Sequence, residues 1–163
     1  MASFDALGAF AKPGDDPEGA CRPFSEERSG LVPSGGAAML VVESLESAKK
    51  RGAEILAEIG GYGFSSDGSH LTQPSGEGAL RAMKQCLSGA NVRPDEVDYI
   101  NAHGTSTKVN DQVETLACKN ALGQDAQSTP VSSIKSMMGH LIAAAGAVNH
   151  AEPRGMDMTP LCS

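Results

Sequence analysis

The sequence predicts an α/β protein, with a mixed sheet built from βαβ units and helices. Short strand-like runs bounded by turn residues lie at 38–42, 97–100 and 130–134. Between them stand segments whose apolar residues recur at helical spacing. Strands that alternate with helices along the chain are typical of parallel βαβ units. With 163 residues, of which 40% are hydrophobic, the chain is long enough to bury the core of one domain.

The first part of the chain is predicted to be irregular up to a buried strand. A loop rich in Pro, Gly and Asp lies at 13–17 within the irregular stretch 4–36, and a short helix is predicted at 4–10. Residues 38–42 are all apolar, as in strands that are covered on both faces. A buried strand is therefore expected at 38–42.

A short helix and a second strand are predicted next. Ser44 can accept a hydrogen bond from the first turn of a helix that runs to Arg51 and ends at Gly52. Residues 54–59 predict another strand, which ends in the turn at 60–61.

A second unit begins near Ser75 with a helix. Its apolar residues recur at helical spacing: Ala79, Leu80, Met83, Cys86 and Leu87. The strand at 97–100 then follows the turn residues at 93–95.

Two more helices are predicted after the strands of this unit. The helix that follows 97–100 is predicted to begin at an Asn110 cap and to end at Gly123, because Asn favours caps and Gly favours helix ends. Its inward-facing side chains are predicted to be Val113, Leu116 and Ala117. After the strand at 130–134, Gly139 opens a further helical stretch.

Charge and cysteine usage narrow the classes of function. A net charge of −7 argues against nucleic-acid binding. The four cysteines offer neither a metal-ligand spacing nor a compact disulfide framework, so they are interpreted as reduced thiols. There is neither an apolar run of about 18 residues nor a basic-then-apolar leader. The sequence therefore predicts no membrane span and no secretion signal.

Two histidines in segments of small residues are the strongest candidates for a functional site. His103 lies in the segment 101–107, directly after a predicted strand. His140 ends the segment 135–140, which also follows a predicted strand. Imidazoles at the tips of two strands on one edge of a sheet can face a common crevice.

Several motifs are similar to those of one enzyme family. The segments 103–107 and 135–140, with 143–146 after them, closely resemble the two histidine motifs of β-ketoacyl-acyl carrier protein synthases of the type I or II branch. Further stretches resemble the same family: 22–30, 48–53, 61–67 and 75–79. The similarity runs from Phe4 to Asn149. These are condensing enzymes of fatty-acid synthesis, so the resemblance implies a partial thiolase-like fold.

The resemblance assigns a chemical role to the histidines. When a malonyl thioester loses CO₂, negative charge develops on the thioester oxygen, and donors already aimed at that oxygen lower the barrier. By resemblance, His103 and His140 are these N–H donors, and their separate roles stay open. Lys135 is implied as the electrostatic organiser of the site, with Glu114 as its carboxylate partner.

Thr105 and Thr107 have two interpretations. By resemblance, their hydroxyls hydrogen-bond the pantetheine arm of the substrate. Alternatively, the hydroxyls satisfy backbone groups within a turn. Both interpretations stay open at this point.

The cysteines do not supply the nucleophile of the family, which is a cysteine on a tight turn at a helix N-terminus. None of the four has that setting: Cys21, Cys86, Cys118 and Cys162. The resemblance therefore implies a C-terminal-half fragment without the nucleophile, and we expect the isolated chain to be inactive. We expect 1–66 to end one thiolase-like half and 67–150 to begin the second, with both histidine motifs. Residues 151–163 are expected to be an unrelated or disordered tail.

The resemblance also implies partners. These are an acyl carrier protein carrying acyl or malonyl phosphopantetheine and, in the full-length parent, a second copy in a homodimer. No metal or organic cofactor is implied. The basic run 49–51 is a candidate docking patch, although basic residues in the last turn of a helix equally suit the helix dipole. The expected location is the bacterial cytoplasm or an organelle (plastid or mitochondrion), without secretion, membrane association or nucleic acid.

Other functions compete with a fatty-acid condensing segment. The chain could be a non-catalytic partner of a complete synthase, or a truncated and inactive product. It could also be a polyketide ketosynthase segment, but such segments usually have Thr-Gly-Thr after the histidine, so Ser106 favours the fatty-acid type. A thiolase is disfavoured because its corresponding first motif carries no histidine.

Overall fold

The computed structural model describes residues 2–12, 14, 16–70 and 73–151. Its helices are α1 (Ala2–Ala6), α2 (Leu45–Lys50), α3 (Glu77–Ala90), α4 (Lys108–Leu122), α5 (Lys135–Met138) and α6 (Ala145–Ala151). Its strands are β1 (Ile100–Asn101) and β2 (Val131–Ser132). Single 3₁₀ turns lie at Pro94–Glu96, Gly123–Gln127 and Ile142–Ala144. The predicted tail after Ala151 lies outside the described residues, as do Pro13 and Asp15 of the predicted loop.

The two strands form a short parallel pair. Ile100 lies opposite Val131, and Asn101 lies opposite Ser132. Because α4 connects the two strands in the chain, β1, α4 and β2 form a parallel βαβ unit. The Asn101 side-chain amide donates to the carbonyl oxygen of Asn149 at 3.0 Å, which ties this unit to α6. The prediction of an α/β protein is confirmed.

Two helices form where the sequence predicts them. Ser44 caps α2 by accepting a hydrogen bond from the Ser47 N–H at 3.2 Å. At the start of α3, the Asp67 carboxylate accepts hydrogen bonds from the Ser75 hydroxyl at 2.5 Å and the Gly78 N–H at 3.3 Å. The hydrogen bond from Ser75 is the largest cause that lowers the pKa of Asp67 to about 2. A carboxylate at the start of α3 also suits the positive end of the helix dipole.

The start of α4 differs from the prediction. Its N-terminal cap is Thr107 rather than Asn110, because the backbone is already helical at Lys108. Asn110 lies in the first turn, where its side-chain amide donates to the Asp111 carboxylate at 3.2 Å. Gly123, at φ +62°, ends the helix as predicted.

The inward face of α4 is narrower than predicted. Ala117 is buried and Val113 is partly buried, but the Leu116 side chain is 54% exposed. Successive residues point about 100° apart around a helix, and Ala117 and Cys118 occupy the buried direction. The prediction that Leu116 faces inward is therefore wrong.

A buried apolar cluster lies beneath the second histidine motif. It consists of Ile134, Leu141, Ala145 and Val148, with Ala38, Met138 and Ala144 packed against it. The cluster joins the segment after β2 to α6. The backbone around His140 therefore rests on a packed apolar cluster.

The predicted strands at 38–42 and 54–59 are not found among the described residues. No backbone hydrogen bond joins either segment to a neighbouring strand there, and Met39 and Val41 are 97% and 93% exposed. A strand needs a neighbour for its N–H and C=O groups and cover for its apolar side chains. Ala38 packs against the buried cluster, but no described segment covers Met39 and Val41. The helix predicted at 4–10 is also displaced, since α1 ends at Ala6.

Candidate functional site

His103 lies on a tight bend between β1 and α4. Gly104 has φ +45°, and a Cβ there would lie 2.5 Å from the Cβ of Ser133, so only glycine fits. Ser106, which is fully buried, has φ +66°. Two residues in the left-handed region turn the chain sharply after the strand and leave the His103 side chain at its tip.

Two charged side chains hold the backbone of this bend. The Glu114 carboxylate, from α4, accepts hydrogen bonds from the N–H groups of His103 at 2.7 Å and Gly104 at 2.8 Å. The Lys135 ammonium, at the start of α5, donates to the carbonyl oxygen of His103 at 2.6 Å. The peptide groups on both sides of His103 are therefore fixed by charge-assisted hydrogen bonds.

The predicted ion pair between Lys135 and Glu114 is not formed. Among the described residues, no nitrogen–oxygen contact within 4.0 Å joins the two side chains. Each side chain is instead hydrogen-bonded to backbone groups of the His103 bend. These backbone groups need hydrogen-bond partners and lie between the two side chains. The fully buried Lys135 still has the Glu114 charge close enough to oppose the desolvation that lowers its pKa.

Ser133 is a further support of the bend that the sequence did not reveal. Its hydroxyl lies 3.2 Å from the carbonyl oxygen of His103 and 3.0 Å from that of Gly104, and its single proton is donated to either or shared between them. The only available sequence signal was its place in the strand-to-helix turn before Lys135.

His140 is fixed by three backbone contacts. Its backbone N–H donates to the Val32 carbonyl oxygen at 2.7 Å, and its carbonyl oxygen accepts from the Ser34 N–H at 2.9 Å. Its ring Nδ1 accepts a hydrogen bond from the Ile142 N–H at 2.9 Å. Because Nδ1 is an acceptor, the neutral ring carries its proton on Nε2. The ring can therefore donate from Nε2.

The structure brings the two imidazoles together. The ring centroids of His103 and His140 are 5.3 Å apart, and the ring planes are nearly perpendicular at 89°. His103 comes from the bend after β1, and His140 follows α5. Side chains from two separate motifs thus meet at one place, within reach of a shared small group.

Both histidine pKa values are lowered from their ordinary value. Burial lowers the pKa of His103, and the positive charge of Lys135 lowers it further against an opposing effect of Asp111. Burial, followed by the charges of His103 and Lys135, lowers the pKa of His140 to about 4. The lowered pKa values favour the neutral form of both rings at pH 7, although the His103 residue itself is exposed.

These shifts predict a loss of stability in mild acid. Below the unfolded-state pKa of about 6.5, the unfolded chain binds protons that the folded His140 does not bind until about pH 4. The free energy of unfolding should therefore fall as pH drops through this window, by at most about 1.4 kcal/mol per pH unit for each histidine. Solvent screening of partly exposed rings reduces this slope. NMR titration of the ring protons and urea unfolding at several pH values measure both effects.

Lys135→Met provides the matched control for that titration. Removing the buried positive charge should raise the pKa of both His103 and His140, because Lys135 lowers each of them. Unchanged titration of both rings would contradict the assigned cause.

The hydroxyls of Thr105 and Thr107 face each other. Their oxygens are 2.8 Å apart, and the Thr107 N–H donates weakly to the Thr105 hydroxyl at 3.4 Å. The turn interpretation thus has a geometric basis, and pantetheine binding stays a prediction.

The loop at 21–28 supports the bend from the other side. The Arg22 N–H donates to the Ser106 hydroxyl at 3.1 Å, and the Phe24 N–H donates to the Asp111 carboxylate at 2.9 Å. Asp111, which is 1% exposed, also lies 3.6 Å from the Arg28 guanidinium. Asp111 was not predicted from the sequence, although the resemblance of 22–30 to the family pointed to the loop that it binds.

Ser106 offers a sharp test of backbone strain. Ser106→Gly leaves the Arg22 N–H without its acceptor, at a cost of about 1–3 kcal/mol, but it removes a left-handed strain of about 1–2 kcal/mol, so the two effects largely offset each other. Ser106→Ala keeps the strain and leaves the Arg22 N–H without its acceptor, which should cost about 1–3 kcal/mol. Urea unfolding of both variants measures the difference. Equal stability of the Gly and Ala variants would contradict this account.

Two of the described cysteines, Cys21 and Cys118, do not favour thiolates. Burial raises the pKa of Cys21, and burial with the nearby Glu114 charge raises the pKa of Cys118 to about 11. Cys86 lies within α3, partly buried, and Cys162 lies outside the described residues. Within the described residues, no three His, Cys, Asp or Glu side chains are grouped as metal ligands would be.

One of the three basic residues in the candidate docking patch at 49–51 is already paired with an acidic side chain of the same chain. Arg51 forms an ion pair and hydrogen bonds with Glu43, whereas Lys49 and Lys50 are exposed in the last turn of α2. In the part of the chain that the structure covers, no helix has both the length and the apolar character needed to cross a membrane.

The fold and the paired histidines define a thiolase-like ketosynthase segment, and the comparisons agree. The family model described as "Beta-ketoacyl synthase, C-terminal domain" matches residues 56–152, more than half of the chain. The chain belongs to the β-ketoacyl synthase family. Solved ketosynthase structures share its fold. One is a β-ketoacyl synthase from Burkholderia phymatum, with a TM-score of 0.81 and 39% identity over 91% of this chain and 36% of that chain.

Individual relatives include both fatty-acid and polyketide enzymes. A 3-oxoacyl-[acyl-carrier-protein] synthase 2 of Staphylococcus aureus is 51% identical over 150 residues, which are 91% of this chain and 37% of the relative. A Streptomyces cyaneus protein named for polyketide β-ketoacyl synthase activity is 49% identical over 91% of this chain and 36% of its own length. A type II polyketide ketosynthase, solved in complex with its acyl carrier protein, matches with a TM-score of 0.84 and 41% identity, covering 91% of this chain and 37% of that chain. The chain thus spans little more than a third of the length of these relatives.

Proposed function

We propose that this chain supplies the histidine part of the active site of a 3-oxoacyl-[acyl-carrier-protein] synthase. The reaction is the decarboxylative condensation of malonyl-acyl carrier protein with an acyl thioester in fatty-acid biosynthesis. The observation that carries the proposal is the meeting of two neutral imidazoles, with ring centroids 5.3 Å apart. The 51% identity to the Staphylococcus aureus synthase supports the fatty-acid substrate class.

The chemistry needs donors that act on a developing oxyanion. The bond between the carboxylate and the α-carbon of the malonyl thioester breaks, CO₂ leaves, and the electron pair forms an enolate with its charge on the thioester oxygen. N–H groups of His103 and His140 stabilise that oxygen. The α-carbon then attacks the carbonyl carbon of an acyl group held as a thioester on the nucleophilic cysteine of the complete enzyme, and the cysteine thiolate leaves.

Lys135 and Glu114 have a positioning role in this proposal. Their hydrogen bonds to the peptide groups around His103 support a fixed ring position. Burial is the main cause that lowers the pKa of both rings, and the charge of Lys135 lowers each of them further. A neutral ring still has one N–H group that can donate to the thioester oxygen. It lacks the second proton, which a charged ring could lose to the malonyl carboxylate.

The substrate arrives on an acyl carrier protein in this proposal. Thr105 and Thr107, beside His103, are the residues proposed to hydrogen-bond its phosphopantetheine arm. One matched ketosynthase structure is a complex with an acyl carrier protein, which supports such a partner. We also retain the proposals of a homodimeric parent and of a division between two thiolase-like halves near residue 66.

A chimera tests the function directly. The 150 matched residues of the Staphylococcus aureus synthase are replaced by their counterpart from this chain. The purified chimera is incubated with malonyl- and acyl-loaded carrier protein. We expect CO₂ release and 3-oxoacyl product above the background of carrier proteins alone. The isolated chain, tested in parallel, should form no product, because no described cysteine has the setting of a nucleophile.

A chimera that folds but forms no product would contradict the proposal. Circular dichroism and gel filtration establish folding independently of activity. The same assay addresses polyketide synthesis, which the 49% identity to the Streptomyces cyaneus protein supports. A fatty-acid enzyme yields one condensation per acyl chain, whereas repeated condensation of unreduced products would favour the polyketide alternative.

A further inference from the structure

The Thr107 hydroxyl is turned away from the helix that it precedes. Thr107 is the N-terminal cap of α4, and a Thr in that position usually accepts a hydrogen bond from the first helical turn with its side chain. No such side-chain bond forms, and the hydroxyl lies 2.8 Å from that of Thr105 instead. We name Thr105 and Thr107 the threonine pair. A contact outside the pair is therefore expected to hold this orientation.

One hydroxyl proton of the threonine pair is not used within it. Two hydroxyls carry two protons, and the hydrogen bond between them uses one. Thr105 is 6% exposed, whereas Thr107 is only partly buried, so the more open hydroxyl is that of Thr107. The pair can therefore donate one hydrogen bond to an outside acceptor, such as an amide carbonyl of pantetheine.

Arg28 is the contact that holds the start of α4. Its guanidinium donates to the carbonyl oxygens of Thr107 at 3.3 Å, Lys108 at 2.9 Å and Ser25 at 2.8 Å. The Arg28 side chain is 17% exposed, so water competes little for these bonds. A planar guanidinium presents its N–H groups in a rigid fork. The three bonds therefore fix the first residues of α4 relative to the loop at 21–28.

The stability of α4 alone does not account for a cation at this place. The N-terminal end of a helix carries partial positive charge, so an arginine there is electrostatically unfavourable. Asp111, in the first turn of α4 and 1% exposed, lies 3.6 Å from the Arg28 Nε and offsets this effect. The buried carboxylate and the guanidinium together thus hold the backbone that carries the threonine pair.

We propose that Arg28 is a positioning residue for the threonine pair. By holding the carbonyl groups of Thr107 and Lys108, it keeps the Thr107 hydroxyl directed at Thr105 and the substrate instead of the helix. Without the guanidinium, the Thr107 hydroxyl turns to the first N–H groups of α4, which have no partner within the helix. Arg28 thereby sets the affinity for the pantetheine arm. This inference rests on the proposed function.

Two malonyl thioesters test this role in the chimera with the Staphylococcus aureus synthase. Malonyl-pantetheine carries the amides that the threonine pair is proposed to bind, whereas the malonyl ethyl thioester has none. We expect Arg28→Met to raise KM for CO₂ release from malonyl-pantetheine about tenfold, as for the loss of a hydrogen bond, with little change in kcat. The ratio of kcat/KM for the two thioesters falls by the same factor. Equal slowing of both thioesters overturns the proposal.

Three further variants locate the effect. Arg93→Met removes an exposed arginine that pairs with the nearby Asp95 and Glu96, and should leave the ratio unchanged. Thr107→Val removes the hydroxyl, and adding Arg28→Met should change little more, because both changes act on one contact. Arg28→Lys keeps the charge without the rigid fork, so it should restore KM only in part. Full restoration by Lys, or full additivity with Thr107→Val, overturns the proposal. If circular dichroism shows that Arg28→Met is unfolded, Arg28→Lys takes its place in every comparison.

Binding measured without turnover separates this inference from the proposed function. NMR titration of pantetheine with the folded chimera should show weaker binding for Arg28→Met and unchanged binding for Arg93→Met. A wild-type chimera that folds but forms no product counts against the proposed function, and the titration then decides the role of Arg28. An active wild-type chimera whose Arg28 variants bind pantetheine as tightly as it does counts against the role of Arg28 alone. Absence of pantetheine binding to the wild-type chimera also overturns the inference.

Discussion

Glu114→Ala is expected to lower the free energy of unfolding of the chain by about 3–6 kcal/mol, because it removes two charge-assisted hydrogen bonds worth about 1.5–3 kcal/mol each. The N–H groups of His103 and Gly104 then lose their acceptor. Gly104 is buried, so water cannot readily replace the carboxylate. Urea unfolding followed by circular dichroism gives the free energy directly.

A neighbouring residue and a conservative variant sharpen this prediction. Gln112→Ala changes an exposed side chain on the same helix and should alter stability by less than about 0.5 kcal/mol. Glu114→Gln keeps the shape but offers one acceptor oxygen and one NH₂ group, so its loss should fall between those of the other two. If Glu114→Ala behaves like Gln112→Ala, the carboxylate does not hold the bend.

The sequence predicted those elements whose signals are local. The Ser44 cap, the helical spacing after Ser75 and the Gly123 helix end each depend on a few neighbouring residues. The βαβ order likewise follows from strands and helices that alternate along the chain. Such features form in the structure because their hydrogen bonds are made within the segment itself.

Elements that depend on distant partners were predicted poorly. The segment 38–42 has the composition of a buried strand, but a strand needs neighbours that no described residue supplies. Leu116 has the spacing of an inward-facing residue, but the neighbouring Ala117 and Cys118 occupy the buried direction of α4 instead. The composition of a segment shows whether its side chains are suited to burial. Whether they are buried depends on which other segments pack against them.

In the candidate site, too, the sequence predicted which side chains are present better than it predicted the contacts that they make. The meeting of His103 and His140 was predictable, since both follow strands that pair in parallel. The direct pairing of Lys135 with Glu114 was not, because the competing acceptors and donors are backbone groups of the His103 bend. Backbone groups carry no sequence signature, so neither the Ser133 hydroxyl's contact with the His103 carbonyl nor the Ile142 N–H contact with His140 was predicted.

His103→Ala and His140→Ala should each slow malonyl decarboxylation by about 10²–10³-fold in the chimera with the Staphylococcus aureus synthase, as expected for the loss of one oxyanion donor. The malonyl substrate should bind almost as before, because the charge that the rings stabilise exists only after CO₂ begins to leave. The measurement is the rate of CO₂ release at several malonyl-acyl carrier protein concentrations, which separates kcat from KM.

The double variant and a variant of a remote histidine test whether the two rings act together. With both donors removed, the loss should be smaller than the product of the single losses, because rings 5.3 Å apart act on one oxygen as a unit. His150→Ala, exposed on α6, should leave decarboxylation unchanged. If the single losses multiply in full, the imidazoles act at separate steps. If either single variant retains the wild-type kcat, the two rings do not share a developing oxyanion.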